Sequence, residues 1–246
     1  MKKRTLILII LYSSICFSQN RNLTVDYILY IAEDLSETNS FKKDIMRGVI
    51  NESGKIHFNL FINDSISNFV ENNGISSSNL SAKLAMNKTK YITPIYYYKN
   101  ILSFKNNPSF IFFDRDEYLI EKKSISEWFI TTESKLINGK TCFKATAKDY
   151  FHNKGKLINY DITAWFCPQL PYNFGPVYYN NLPGLILEIS YLDIKLVATS
   201  IIYELDKSKI KKPTGQKTVT IDNYYILQEN KLAEMYEELE KQRSGK

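Results

Sequence analysis

Short runs of β-branched and aromatic residues alternate with clusters of Asn, Ser, Gly and Asp between about residues 23 and 204. This pattern is typical of many antiparallel strands joined by turns. The runs that predict strands are Leu23–Ile31, Lys55–Ile62, Tyr91–Tyr98, Ser109–Phe113, Tyr118–Lys122, Glu127–Ile137, Lys140–Phe151, Lys156–Phe166, Leu185–Ser190 and Lys195–Glu204. The Asn- and Ser-rich stretch Asn63–Met86 indicates a long surface excursion. We find no internal repeat, which argues against a solenoid or a propeller.

The centre of the chain permits a prediction of strand register. Asn138-Gly139 lies between two apolar runs and is a strong signal for a two-residue type I′ hairpin, which places Ile137 opposite Lys140. Alternation then puts Glu133 across from Lys144 on a polar face. The opposite, apolar face is predicted to hold Trp128, Ile130, Thr132, Ser134, Phe143, Ala145 and Ala147.

A four-residue loop, His152-Asn153-Lys154-Gly155, is predicted to continue this meander and to keep the same apolar face. In that register Cys142 lies opposite Trp165, and Cys167 lies diagonally beyond it, which is somewhat far for a disulfide bond without a bulge. Two interpretations stay open. The cysteines form an intrachain disulfide bond, or they are two half-buried free thiols.

The first eighteen residues have the three parts of an export signal. Lys2-Lys3-Arg4 precedes an apolar run that is too short to span a bilayer, and small residues lead to Ser18. We therefore expect a signal peptide over residues 1–18, cleaved near Ser18-Gln19, and an exported protein in the periplasm or at the outer membrane or cell surface. A lipoprotein anchor at Cys16 is disfavoured because the bulky Ile15 precedes it. The mature chain is predicted to lack a transmembrane segment, and its compartment permits a disulfide bond.

Composition narrows the classes of protein without naming an activity. The 246 residues are 44% hydrophobic and 14% aromatic, which excludes disorder throughout, collagen and a disulfide-dense mini-scaffold. The formal net charge is +6, and without Lys2, Lys3 and Arg4 it is 29 basic minus 26 acidic residues, or +3. That ordinary balance gives no reason to expect a nucleic-acid partner.

The C-terminal region has a different character. Residues 205–221 are Lys-rich and contain Pro213 and Gly215, which predicts a connector. In the tail, 222–246, apolar residues recur at i, i+3, i+4 and i+7 and predict an amphipathic helix over about 222–243, which would pack on the sheet or on a partner. These residues are Leu232, Met235, Tyr236 and Leu239.

An unusual aromatic, Pro- and Gly-rich segment runs from Ala164 to Ile189. It contains Gly175-Pro176 and, after it, the hexapeptide Asn181-Leu182-Pro183-Gly184-Leu185-Ile186. With the upstream Cys142-Phe143-Lys144-Ala145-Thr146, the segment resembles the GLPGLI family of exported Bacteroidota proteins over about residues 27 to 204. Asn181 stands where the family has glycine, and Asn is the residue that most readily replaces glycine in a left-handed conformation. The resemblance implies an exported protein and a likeness of fold, and it supplies no reaction.

The same segment has a structural and a functional interpretation. In the structural one, Gly175-Pro176 and Pro183-Gly184 fix two corners, and Leu182, Leu185 and Ile186 are core residues around them. In the functional one, aromatic side chains form one wall of a groove for a ligand or a partner. Those side chains are Trp165, Phe166, Tyr172, Phe174, Tyr178 and Tyr179.

Familiar catalytic and metal motifs are missing from the sequence. His57 and His152 are the two histidines, and both are predicted to be solvated because no metal spacing or triad motif includes them. G-x-S-x-G, H-E-x-x-H, a Gly-rich phosphate loop and C-x-x-C do not occur. The acidic run Asp114-Arg115-Asp116-Glu117 lacks the glycine of an EF-hand loop and is predicted to be a turn. We therefore expect no catalytic residues, no metal and no cofactor.

Together these patterns predict one mainly β domain over residues 19–204. Its expected architecture is a curved, mainly antiparallel sheet resembling a half-barrel, whose concave side is partly covered by loops and by one C-terminal helix. The expected function is that of an exported cell-envelope protein that binds an outer-membrane or periplasmic protein, or an apolar or lipidic ligand, without catalysis. The alternatives are an exported hydrolase with an unrecognised active site and a purely structural accessory.

Overall fold

The structure is a computed structural model that describes residues 22–32, 39–72, 79–89, 94–106, 117–153 and 156–243. Its strands are β1 (Leu23–Ile31), β2 (His57–Asn63), β3 (Ile66–Glu71), β4 (Ile95–Tyr98), β5 (Ile101–Lys105), β6 (Tyr118–Lys123), β7 (Phe129–Ile137), β8 (Lys140–Asn153), β9 (Lys156–Cys167), β10 (Leu185–Tyr191), β11 (Ile194–Ile202) and β12 (Lys217–Thr220). Its helices are α1 (Ser40–Ser53), α2 (Leu80–Thr89) and α3 (Ile221–Arg243), with a short 3-10 helix at Lys207–Lys209. The protein is mainly β, as the sequence predicts.

Every strand of the described ranges belongs to one twelve-stranded sheet. The order is β12-β6-β5-β4-β3-β2-β1-β11-β10-β9-β8-β7, and the sheet is open at β12 and β7. Neighbouring strands are antiparallel, except that β12 runs parallel to β6. The chain starts near the centre with β1, moves outwards to β6, continues at the far edge with β7, and returns to β11, which pairs with β1. The prediction of a mainly antiparallel sheet is confirmed.

The connection between β6 and β7 requires the sheet to curl. These two strands stand ten positions apart in the sheet order, which would be about 48 Å in a flat sheet. Only six residue steps separate Lys123 from Phe129, and an extended chain covers at most about 21 Å over six steps. The two ends of the sheet must therefore approach each other, which confirms the predicted half-barrel.

The hydrophobic core lies on the concave side of this half-barrel. The segment 168–184, which joins β9 to β10, packs there, and we call it the plug. Phe174 of the plug makes an edge-on contact with Tyr97 of β4, with 5.6 Å between ring centroids. Tyr179 of the plug lies 5.3 Å from Tyr191 of β10 by the same measure. Since β4 and β10 belong to opposite halves of the sheet, the plug packs between the two halves.

The hairpin between β7 and β8 matches its prediction. Ile137 pairs with Lys140, and Asn138-Gly139 has positive φ angles of 51° and 69°, as a type I′ turn requires. Lys144 Nζ lies 2.8 Å from Glu133 Oε1, so the predicted ion pair forms. A bulge farther along β7 shifts the pairing by two residues, which leaves the predicted faces unchanged.

The turn between β8 and β9 differs from its prediction. Asn153 pairs with Lys156, so the turn has two residues where the sequence predicted four. That difference moves the pairing by two residues along the whole hairpin. The predicted pairing of Cys142 with Trp165 is therefore wrong, and the position opposite Cys142 is that of Cys167.

Several other elements lie where the sequence predicted none. These are α1, α2, β3, β5 and β12; β3 and most of α2 fall within the stretch Asn63–Met86 that was predicted as a surface excursion. β12 and the 3-10 helix fall within the Lys-rich residues 205–221. α3 begins within one residue of the predicted helix. The predicted strand Ser109–Phe113, most of the acidic run and the signal peptide with Cys16 lie outside the described residues.

Candidate functional site

Two glycines let the plug pass close to neighbouring backbone. A Cβ atom at Gly175 would lie 2.5 Å from the carbonyl oxygen of Tyr179, and one at Gly184 would lie 2.3 Å from that of Cys167. Both distances are far below van der Waals contact, so these positions have no room for a side chain. Asn181 has φ 71°, the left-handed conformation in which Asn most readily stands in for glycine.

Two asparagines of the plug make hydrogen bonds to β4 and to the connection between β6 and β7. The indole N–H of Trp128, just before β7, donates to the backbone carbonyl of Asn180 at 2.9 Å. The side-chain amide of Asn181 donates to the carbonyl of Ile125 at 3.0 Å, and the hydroxyl of Tyr97 in β4 lies 2.8 Å from its amide oxygen. The plug is therefore held by specific hydrogen bonds as well as by apolar packing.

The structure separates the six aromatic residues that the sequence proposed as one wall. Trp165 and Phe166 are consecutive on β9, so their side chains point to opposite faces of the sheet. Trp165 lies on the face of Lys135, whose ammonium is 4.3 Å from the indole ring centroid and 2.7 Å from Glu188 Oε2. Four other members belong to the plug, where three are buried and Tyr178 is partly buried: Tyr172, Phe174, Tyr178 and Tyr179.

A buried ion pair lies beside the plug. Lys122 Nζ of β6 is 2.5 Å from Asp149 Oδ2 of β8, and the two side chains are only 9% and 3% exposed. The same carboxylate accepts hydrogen bonds from the hydroxyl of Tyr160 at 3.2 Å and from the backbone N–H of Tyr150 at 2.9 Å. The Lys122 ammonium also lies 4.9 Å from the Tyr178 ring centroid. Because β6 and β8 lie near opposite ends of the sheet, this pair bridges the concave side.

Tyrosines around Asp149 are held in their neutral form. Burial raises the pKa of Tyr160, Tyr178 and Tyr179 well above the ordinary tyrosine value, and the negative charge of Asp149 adds to the effect. The hydroxyls of Tyr160 and Tyr179 are 3.2 Å apart. The Tyr160 phenol donates a hydrogen bond to the Asp149 carboxylate, and the Tyr179 hydroxyl contacts that of Tyr160, so these two hydroxyls stabilise the Lys122–Asp149 pair inside the protein.

The first turn of α3 lies next to this cluster and contacts one of the two histidines. Asp222 accepts a hydrogen bond from the Tyr150 hydroxyl at 3.0 Å and lies 3.7 Å from His152 Nε2. The ring of Tyr225 stacks on His152, with 4.8 Å between centroids. Burial raises the pKa of Tyr150 to about 12, and the charge of Asp222 adds to it. His152 is 22% exposed, so it is packed between a carboxylate and a ring, unlike the solvated residue that the sequence predicted.

The other histidine also has a carboxylate partner. His57 Nδ1 lies 2.9 Å from Asp26 Oδ2, and the hydroxyl of Thr199 donates to the same oxygen at 3.0 Å. The three residues come from β2, β1 and β11, which are neighbours in the sheet but distant in sequence. Sequence reasoning missed this contact because the pairing of β1 with both strands was not predictable. Within the described ranges, no group of three or more His, Cys, Asp or Glu side chains could hold a metal ion.

Comparisons with known proteins assign no activity to the chain. Residues 152–188, which include β9, the plug and the start of β10, match a family described as "Protein of unknown function (Porph_ging)". Two solved structures of PNGF-II are similar to the chain. The one in space group P21 has 15% identity and a TM-score of 0.46 over 83% of this chain and 32% of that chain. The one in space group C2 has 14% identity and a TM-score of 0.49 over 86% and 33%. The chain thus spans about a third of PNGF-II. No curated protein matches the sequence.

None of the helices in the described ranges is both long enough and apolar enough to cross a membrane.

Proposed function

We propose that the chain is an exported cell-envelope protein of the GLPGLI family that binds a protein partner without catalysis, and that the partner binds at β7 and the adjoining β8–β9 hairpin. The observation that carries this proposal is the apolar exposure of that end of the sheet. Phe129 and Leu136 of β7 are each 72% exposed, and Leu157 at the start of β9 is 52% exposed. Phe129 and Leu136 point to opposite faces of the sheet, because they stand at odd and even positions and the bulge keeps the alternation. The edge strand therefore has exposed apolar side chains on both sides of its backbone, and an exposed apolar edge strand is a surface for pairing with another chain.

The occupant that fits this surface is an extended segment of an envelope protein. Among the described strands, β7 is an edge strand of nine residues with no strand paired to its outer side. The N–H and C=O groups of such an edge can pair with an added strand. The charged side chains of β7 do not oppose such an addition, because Glu133 is paired with Lys144 and Lys135 with Glu188. A partner strand would therefore meet backbone donors and acceptors flanked by apolar side chains, with these charges already paired.

An apolar or lipidic ligand on the concave side has less support. Plug side chains occupy that side, and Phe174, Tyr179 and Leu182 are at most 2% exposed. A ligand there would have to displace packed aromatic rings together with the hydrogen bonds of Asn180 and Asn181. Protein binding at the sheet edge requires no such rearrangement.

Export and family membership are supported by the sequence. The first eighteen residues have the charged, apolar and small-residue parts of a signal peptide. The match over residues 152–188 includes the corner Gly175-Pro176 and the hexapeptide that begins at Asn181. The signal peptide is tested by determining the N-terminal residue of the protein recovered from the envelope, which we expect near Gln19.

Partner binding is tested by native mass spectrometry of protein isolated from the envelope under mild conditions. We expect the wild-type chain in a complex with one protein of defined mass, and the double variant Phe129→Ser/Leu136→Ser as the bare chain. The matched control is Leu80→Ser, which removes an equally exposed apolar side chain from α2 (71% exposed). A bare wild-type chain, a bound lipid in place of a protein, or equal loss in the control contradicts the proposal.

A second candidate function, an exported hydrolase, is favoured by the contact between His57 and Asp26. A carboxylate that holds an imidazole by one nitrogen is part of general-base catalysis in many hydrolases. The test is hydrolysis of ester, peptide and glycoside substrates by the purified chain. This candidate predicts activity that falls by more than about 100-fold in His57→Ala and Asp26→Asn. It is rejected if no substrate is cleaved or if both variants retain the activity.

A further inference from the structure

The two-residue turn between β8 and β9 brings the cysteines of the mature chain face to face. Phe143 pairs with Phe166, so Cys142 and Cys167 are the next opposed positions. Directly opposed residues of an antiparallel pair have Cα atoms about 4.5–5.5 Å apart and side chains on the same face. That spacing falls within the range of about 4.4–6.8 Å that a disulfide bond spans. The sequence predicted a longer separation of Cys142 and Cys167 because it placed four residues in this turn, whereas the structure has two.

The thiol groups themselves are neighbours. Both side chains are free thiols with no exposed surface, and the Cys142 thiol is close enough to hydrogen-bond with Cys167. Burial raises the pKa of Cys142 to about 12, and the proximity of Cys167 adds to the effect. Because the thiolate is the species that attacks a disulfide, a pair that is already folded and reduced exchanges slowly. Oxidation is therefore favoured before β8 and β9 close on each other.

We propose that Cys142 and Cys167 form a disulfide bond in the mature protein, introduced during folding in an oxidising compartment. This inference rests on the export that the proposed function includes. The oxidant is a thiol–disulfide exchange protein that carries a reactive disulfide. One cysteine thiolate attacks that disulfide and releases one donor thiolate. The thiolate of the second cysteine then attacks the mixed disulfide and releases the second thiolate of the donor. Two electrons and two protons pass to the donor, which leaves as a dithiol.

The position of this bond gives it a structural role, because both ends of the plug meet at Cys167. The carbonyl of Cys167 accepts a hydrogen bond from the backbone N–H of Leu170 at 3.1 Å, at the start of the plug. Gly184, at the end of the plug, passes so close to the same carbonyl that a side chain there would collide with it, and the next residue, Leu185, pairs with Cys167. A bond from Cys167 to Cys142 therefore attaches both ends of the plug to β8.

The test counts thiols in the full chain isolated from the envelope. The protein is denatured without reductant in the presence of a maleimide, and its intact mass and N-terminal residue are read together. We expect a chain that begins near Gln19, carries no maleimide and weighs about 2 Da less than the reduced chain. Proteolysis without reduction should give a linked peptide pair containing positions 142 and 167. A processed chain that carries two maleimides overturns the proposal.

The N-terminal residue separates a failure of export from a failure of the disulfide proposal. A chain that retains residues 1–18 contradicts export, and it carries Cys16 as a third thiol. In that case the chain is reduced, unfolded and refolded in a glutathione redox buffer, which supplies the disulfide oxidant directly. A bond between positions 142 and 167 after refolding still supports the pairing, and two free thiols at these positions overturn it.

Thermal unfolding measures the consequence of the bond. Adding reductant to unfolding wild-type protein should lower the melting midpoint by about 5–10 °C. The variant Cys142→Ser should have the melting midpoint of the reduced wild-type protein, whether or not reductant is present. Its Cys167 should react with maleimide once the chain is denatured. If the midpoint of the wild-type protein is the same with and without reductant, the bond does not attach the plug as proposed.

Discussion

Gly184 shows how closely the plug depends on single residues. A Cβ atom at this position would lie 2.3 Å from the carbonyl oxygen of Cys167. Gly184→Ala must therefore displace the backbone, and we expect it to lower the free energy of unfolding by about 2–4 kcal/mol. Urea unfolding measures the change. Gly54→Ala is the matched control, because a Cβ there meets nothing within 4 Å. Equal effects of the two substitutions would contradict the close approach.

Lys122 and Asp149 test whether the buried ion pair stabilises the fold through its pairing. Lys122→Met leaves a buried carboxylate without its partner, and we expect a loss of about 3–5 kcal/mol in unfolding free energy. The double variant Lys122→Met/Asp149→Leu removes both charges and should recover most of that loss. Lys144→Met is the control, because its partner Glu133 is 58% exposed, and it should cost less than about 1 kcal/mol. A double variant no more stable than the single one would contradict this account.

At the scale of elements, the packing of α3 against the sheet predicts that the free energy of unfolding depends on pH. The pKa values of Tyr150 on β8 and Tyr224 on α3 are raised to about 12, mainly by burial, from an ordinary value of about 10. The folded state therefore holds these protons more tightly than the unfolded state does. The resulting stabilisation is fully present below about pH 10 and is lost as the pH rises towards 12.

Urea unfolding between pH 8 and pH 12 measures this effect. We expect the unfolding free energy to fall above about pH 10, and to fall less steeply in Tyr224→Phe, which cannot ionise. Tyr236→Phe, at a position of the same helix that is 57% exposed, should keep the wild-type slope. A profile that is flat up to pH 12 would contradict the packing of Tyr224 against the sheet.

Elements with a local signal were predictable, and those that depend on distant partners were not. Asn138-Gly139 specifies its own turn, so the β7–β8 hairpin and the contact of Glu133 with Lys144 followed from the sequence. α1 gave little signal because only Val49 and Ser53 are buried along its fourteen residues. The β8–β9 register failed because a change of two residues in the turn leaves the alternation of faces intact. Hydrophobic pattern alone therefore cannot distinguish the two registers.

The candidate site was less predictable than the fold. Lys122 and Asp149 lie on strands that pair with different neighbours, and their contact arises only because the sheet curls. The motif residues of the plug were recognisable from the sequence, but their burial was not. The placement of Trp165 and Phe166 on opposite faces was predictable from the sequence, since consecutive residues of a strand point to opposite faces.

At the scale of the whole molecule, the curled sheet and the plug distribute the apolar residues unevenly. The concave side is filled by the plug, while the edge at β7 keeps Phe129 and Leu136 exposed. The concave side of the sheet thus stabilises the fold, and we propose that its open edge binds another chain. Partner binding at β7 is therefore the central claim about function.

Site-specific photo-crosslinking in the cell envelope tests that claim most directly. A photoreactive residue is placed at position 136 in β7 or, as the control, at position 80 in α2, since the natural leucines at these positions are 72% and 71% exposed. We predict a single cross-linked product of defined mass from position 136, absent from position 80 and abolished by Phe129→Ser. No product from position 136, or the same products from both positions, would contradict the account.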